Sequence, residues 1–303
     1  MKLARAGVML AIVGAASGCV APVKDSTAVA SAPWPPTVAS EVRITQEPLP
    51  ANFALEGAIM QGGLAIGTAP ADTVALSFNG QSVSVDAEGR FLIAFDRDAP
   101  LLATLKATVR DGRSITRTLI VARREWRIER IDAPMRPTKD TEAFLLLRRP
   151  ELQRIATARA AHSDSRGWRQ RLIWPLTGRI SGLFGAQRIY RGEPAAYHGG
   201  VDIAGITGTP VRAPADGIVV LAAEKPFTLE GDLLMIDHGA GLNSAFLHLS
   251  RIDVAQGAQV TRGQIIGAVG STGRATGPHL HWAMKWNDAR IDPMLIAGPM
   301  PTP

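Results

Sequence analysis

The sequence predicts a mainly β protein in two parts joined by a helical stretch, and three observations carry that prediction. Between residues 53 and 121, apolar and polar residues alternate around Asn79-Gly80 and Asp111-Gly112. From Trp174 onward, short apolar runs are cut by glycines. Between the two, the composition turns Arg-rich and the spacing of Leu152, Ile155, Ala156 and Arg159 becomes helical. With 303 residues, 46% hydrophobic and 20% charged, the chain can bury two modest cores and is not broadly disordered.

Taken in order, Lys2 and Arg5 precede an apolar run from Gly7 to Ala16 that breaks into Ser17-Gly18-Cys19. This is the layout of a secretory signal over residues 1–19, too short in its apolar part to span a bilayer as a mature helix. Ala16-Ser17-Gly18-Cys19 resembles a bacterial lipobox, in which the cysteine is lipidated and becomes the first residue. Cys19 is the sole cysteine, so no disulfide is expected. Val20 after it resembles the outer-membrane sorting pattern. The expectation is an exported protein in a periplasm, anchored to the outer membrane through Cys19. Residues 20–50, rich in Ala, Pro, Ser, Thr and Val, read as an extended tether.

Residues 51–122 read as a small antiparallel β-sandwich. Val74, Leu76 and Phe78 lead into Asn79-Gly80, the strongest short hairpin signal because both turn residues tolerate positive φ. Asp111-Gly112 predicts a second hairpin, and Phe91, Ile93 and Phe95 a strand after the Glu88-Gly89 turn. No catalytic cluster falls here, so a positioning module or a plain spacer both fit. Residues 123–171 read as a linker with a helix, Pro150 in its first turn and His162 within it. Residues 172–298 read as an antiparallel β domain with a groove. Its strands are expected near residues 179–184, 217–222, 233–236, 244–249 and 265–269.

The net charge of +6 suggests an anionic partner or surface. There is no aromatic-rich basic stripe, zinc-finger spacing or phosphate loop, so no nucleic-acid partner is expected.

The chemistry concentrates in His198-Gly199-Gly200-Val201-Asp202 and His279-Leu280-His281-Trp282. Side chains two apart on a strand share a face, so His279 and His281 point the same way. His198 and Asp202, four apart, can aim at one point from a strand or a strand-edge loop. Two imidazoles and a carboxylate are a normal shell for a catalytic zinc with its fourth position open. A closed structural site would recruit thiolates, and Cys19 lies far away in sequence. His162 and His238 read as ordinary core or surface residues, and Asp216 and Asp237 as turn-stabilising carboxylates.

These segments, with Phe246-Leu247-His248-Leu249-Ser250 between them, resemble the M23 family of zinc metallopeptidases, the lysostaphin and LytM type. Its HxxxD, HLS and HxH elements occur here in order over roughly Trp174 to Pro293. The resemblance implies the family's antiparallel β groove fold and one zinc ion per chain held by His198, Asp202 and His281. It implies that His248 and His279 line the groove as acid-base groups, with no glutamate base of the HExxH kind. It also implies a zinc-dependent endopeptidase acting on the stem-peptide cross-links of peptidoglycan, with a D-Ala to diamino-acid bond the expected target. The alternatives are an envelope regulator that activates a separate amidase, or a wall-binding protein without catalysis of its own. Phe246 departs from the family, where tyrosine is common, and puts one substrate contact in doubt. Gly270, Gly273 and Gly277 suggest loops that let a peptide lie close to the backbone.

Overall fold

A computed structural model describes residues 50–135 and 141–301. The expected signal segment, Cys19 and all but the last residue of the expected tether lie outside the described residues.

The alternation after residue 53 builds two antiparallel sheets. One orders its strands as Ala54–Gly57, Leu64–Thr68 and Arg90–Ala94. The other orders them as Gln81–Ser82, Thr73–Phe78, Leu102–Val109 and Ser114–Ile120. Asn79 and Gly80 both take positive φ, 49° and 83°, and pair Phe78 with Gln81 across a two-residue turn. The second turn differs from the sequence expectation. Of its Asp-Gly pair only Gly112 has positive φ, and the loop is wider. The Val109 N–H donates to the Arg113 carbonyl and the Gly112 N–H to the Val109 carbonyl.

The helix spans Glu142–Ala160, capped by Thr141, whose side chain accepts from the Phe144 N–H at 3.2 Å. It therefore starts earlier than its apolar spacing suggests. Pro150 lies inside it rather than in its first turn, and His162 lies beyond its end. A mid-helix proline removes one backbone hydrogen bond. Burial of Ile155 and Ala158 against Leu221, Leu233, Met235 and Ala245 holds the helix past that point.

The main sheet runs Gln259–Val260, Gly217–Ala222, Asp232–Asp237, Leu242–Leu249, His279–Trp286, Val201–Ala204, Ile180–Gly182. Ala289–Ile291 pairs with His279–Trp286 beside this path. Every pairing in it is antiparallel. One face buries Leu234, Ile236, Phe246, Leu280, Trp282 and Met284 in the principal core, together with Val211 and Ile266 of a smaller three-stranded sheet. The other face carries Met235 and Ala245 under the helix.

The stretch expected as a linker also contributes a strand, Ile128–Ile131, paired in parallel with Gln187–Tyr190. The described residues belong to one compact unit, Glu47–Pro303. Phe78 meets Trp286 edge-on at 6.0 Å, and Arg124 Nη2 bonds Asp292 Oδ2 at 2.9 Å.

Candidate metal centre

Asp202 and His281 are Cα partners across the antiparallel pair of Val201–Ala204 with His279–Trp286. Directly opposite residues project to the same face, and the Asp202 carboxylate meets His281 Nδ1 at 2.8 Å. His198 enters from the loop before Val201 and brings its Nε2 to 3.1 Å from Asp202 Oδ1 and 3.0 Å from His281 Nδ1. One donor atom from each of the three side chains thus lies within 4.8 Å of the others.

The residues fit a metal. Donors bonded to one tetrahedral zinc at about 2.0–2.2 Å stand about 3.3 Å apart, close to the separations seen. His198 Nδ1 donates to the Leu183 carbonyl at 3.0 Å, which leaves the Nε2 lone pair aimed into the cluster. The space is made by glycines. A Cβ on Gly182 would lie 2.2 Å from Asp202 Oδ2, and one on Gly200 would lie 2.8 Å from His281 Nε2.

Electrostatics keep the cluster anionic at its centre. Burial opposes ionisation of Asp202, but without a metal the contacts and charge of His198 and His281, in the protonated forms that can donate to it, outweigh burial and hold the carboxyl well below the usual carboxylate range. Burial pushes His281 below its ordinary value against the pull of Asp202. At His198 burial also pushes down, yet the bond and charge of Asp202 prevail and its pKa is raised.

His248 and His279 stand beside this group. His248 Nδ1 donates to the Thr272 carbonyl at 2.9 Å, and His279 Nδ1 to the Gly277 carbonyl at 2.8 Å. Because a carbonyl only accepts, each ring presents its Nε2 away from that bond. Their rings are 4.9 Å apart, and His279 Nε2 is 3.8 Å from Asp202 Oδ1. Burial pushes His248 below its ordinary value, so its ring is neutral at neutral pH and able to take a proton.

Phe246 does not line this site. It is fully buried, paired with Leu234 and Trp282 on the opposite face of the sheet. A hydroxyl at this position would enter the core, so its absence removes no substrate contact. His238 is a fully buried core histidine, with Nδ1 2.8 Å from the Asp216 carbonyl and Nε2 2.9 Å from Ser244 Oγ. Asp216 accepts from Gln170 Nε2 and the Arg262 N–H, and Asp237 from the Ser163 and Gly239 N–H groups. Thr272, Gly182 and Gly200 shape the site without any signal in residue type alone.

Residues 196–293 match the model of peptidase family M23. This stretch is an M23 peptidase domain. A solved chain from Pseudomonas aeruginosa assigned to peptidase M23 is 29% identical, with a TM-score of 0.61 over 79% of this chain and 95% of that one. The DD-carboxypeptidase/endopeptidase Mpg of Neisseria meningitidis serogroup B is 42% identical over 127 residues, 41% of this chain and 28% of that protein. The peptidoglycan DD-endopeptidase ShyA of Vibrio cholerae is 40% identical over 123 residues, 40% of this chain and 28% of that protein. The chain thus spans 28% of the length of these curated relatives. These two likenesses cover 41% and 40% of this chain, whereas the Pseudomonas likeness covers 79% of it.

Proposed function

We propose that this chain is a zinc-dependent endopeptidase that hydrolyses the peptide cross-links of peptidoglycan. The observation that carries the reading is the convergence of His198, Asp202 and His281 beside two further histidines whose Nδ1 protons are tied to backbone carbonyls. Zinc bound by those three would supply a Lewis acid that makes water acidic near neutral pH. His248, neutral and with no partner on Nε2 among the described residues, accepts the proton of the attacking water. His279, on the same strand face as His281, acts as the imidazolium: its Nε2–H supports the developing oxyanion and goes to the leaving amine, and the proton taken up by His248 restores it. The names of the Neisseria and Vibrio relatives support a peptidoglycan substrate. A D-Ala to diamino-acid bond is the target this reading favours.

The same reading places the protein outside the cytoplasm, held to the outer membrane by lipid on Cys19. No helix among the described residues is long and apolar enough to cross a membrane. Digestion of purified peptidoglycan, followed by mass analysis of the muropeptides, tests the activity. Cross-linked dimers should become monomers with intact glycan strands, and a chelator should stop the reaction. Glycan released with cross-links intact would identify an amidase or glycosidase instead.

A further inference from the structure

Lys285 and Arg290 stand opposite one another on the face of the main sheet that carries the metal cluster. Arg159 of the helix lies near enough for its charge to be felt by both. Along His279–Trp286 the half-exposed His279, His281, Ala283 and Lys285 alternate with four buried residues, so Lys285 shares the face of His281. Four residues at about 3.3 Å each put the two Cα atoms about 13 Å apart. Arg290 is the Cα partner of Lys285 across the terminal hairpin, which sends both side chains to one face. Arg290 also reaches toward the metal cluster. A Cβ on Gly199, the residue after His198, would lie 3.5 Å from its Cδ, and its guanidinium sits 5.1 Å from the Tyr197 ring. Arg159 comes from above, on the helix, next to Ala158, which is buried in the cluster that includes Met235 and Ala245. Burial, and after it the charge of Arg159, push the Lys285 amine below its ordinary value, with Arg290 adding to the push and Asp288 and Asp96 opposing it.

This arrangement is unfavourable by itself, because like charges directly opposite in a ladder repel. Among the described residues none of the three side chains forms an ion pair. The nearby carboxylates are mostly engaged elsewhere. Glu230 is held by Arg148. Asp96 accepts from the Tyr197 hydroxyl and the Arg290 backbone N–H. Asp288 is the remaining acidic group whose charge reaches Arg159 and Lys285. Cations held together with donors to spare form a receptor for a carboxylate.

We propose that Lys285, Arg290 and Arg159 form a binding subsite for a free carboxylate of the peptide substrate, about four extended residues from the bond that is cut. The inference rests on the endopeptidase reading and adds which substituent the groove recognises. Stem peptides with free carboxylates bind here, and their amidated counterparts bind less well.

The test compares the metal-loaded full chain with Lys285→Gln and Arg290→Gln, on cross-linked muropeptide dimers with free or amidated carboxylates. Wild type should show a KM about tenfold lower for the free form, a usual value for one charge-assisted hydrogen bond. Each variant should erase that preference with kcat within about twofold and zinc content unchanged. Calorimetry with the uncross-linked free-acid tetrapeptide, which holds no cross-link to cut, should show the same loss in Kd. Equal KM and Kd for free and amidated forms in wild type overturns the subsite, as does a preference that survives both substitutions. If wild type binds the free tetrapeptide selectively yet cuts no dimer, the endopeptidase reading fails and the subsite stands.

Discussion

Arg148 grips Glu230 with two hydrogen bonds of 2.6 and 2.7 Å, and Glu230 in turn holds His248. The Glu230 carbonyl accepts from the His248 backbone N–H at 2.8 Å. Glu151, which also pairs with Arg148, accepts from the N–H and hydroxyl of Thr228 in the same loop. The helix is thereby tied to the loop that supports a histidine of the proposed site. That support matters because His248 has φ of +63°. A non-glycine residue there carries strain of about 1–3 kcal/mol and persists only when its surroundings hold it.

Arg148→Ala should therefore loosen His248 while leaving the metal ligands intact. Two part-buried carboxylates lose their partner, so stability should fall by about 1.5–3 kcal/mol in urea unfolding. Turnover of peptidoglycan should drop about tenfold or more with zinc content unchanged. Full activity in a destabilised variant would show that the helix only braces the fold.

Removing a ligand should act differently from removing a neighbour. Asp202→Ala and His281→Ala should lose zinc, read by metal analysis after dialysis, and show no turnover. His248→Ala and His279→Ala should keep zinc and lose about 10²–10⁴-fold in activity, the usual contribution of an acid-base group. If His279→Ala loses its metal and His281→Ala keeps it, the two roles are reversed.

His248 also shows where sequence reasoning reached and where it stopped. The mainly β class and the shared face of His279 and His281 were legible, because both rest on the two-residue period of a strand. The same rule fails between Phe246 and His248. The pairing register shifts between Asp232 and Leu234, opposite this segment, and the positive φ breaks alternation. Phe246 goes into the core and His248 to the site. Pro150 misled for a related reason. Its first-turn preference is a tendency, whereas Thr141 supplies an actual cap. The Arg148–Glu230 pair joins residues 82 apart in sequence and leaves no local pattern.

The glycines that make room for the ligands give a test of metal geometry. In Gly182→Ala the new methyl group would overlap the Asp202 carboxylate. The strand backbone is fixed by its pairing, so the carboxylate must move. Zinc affinity should fall about 10–100-fold, as when groups that orient ligands are changed. Competition against a chromophoric chelator would measure it. Gly112→Ala, with open space around its Cβ, should leave zinc affinity unchanged.

Cys19→Ser tests the anchor. The variant should accumulate as unprocessed precursor or leave the membrane fraction. Unchanged fractionation and migration would remove the lipid anchor while leaving the catalytic reading untouched.

Acid sensitivity should come partly from His238, remote in role from the metal. Its Nδ1–H donates to the Asp216 carbonyl, so its Nε2 accepts from the Ser244 hydroxyl, and the ring is neutral in the core. Burial pushes its pKa below the ordinary 6.5. The unfolded chain then binds a proton that the folded chain refuses, and stability falls as pH drops through about 6.5 toward the folded value, by at most about 1.4 kcal/mol per pH unit. Above that range the contribution is complete and flat. Urea midpoints with chelator present, at pH 7.5 and 5.5, should show the decline in wild type. His238→Asn should start lower at pH 7.5, having lost buried hydrogen bonds, yet decline less on acidification. Parallel declines in the two proteins would assign the sensitivity to His281 and His248, which burial also holds neutral.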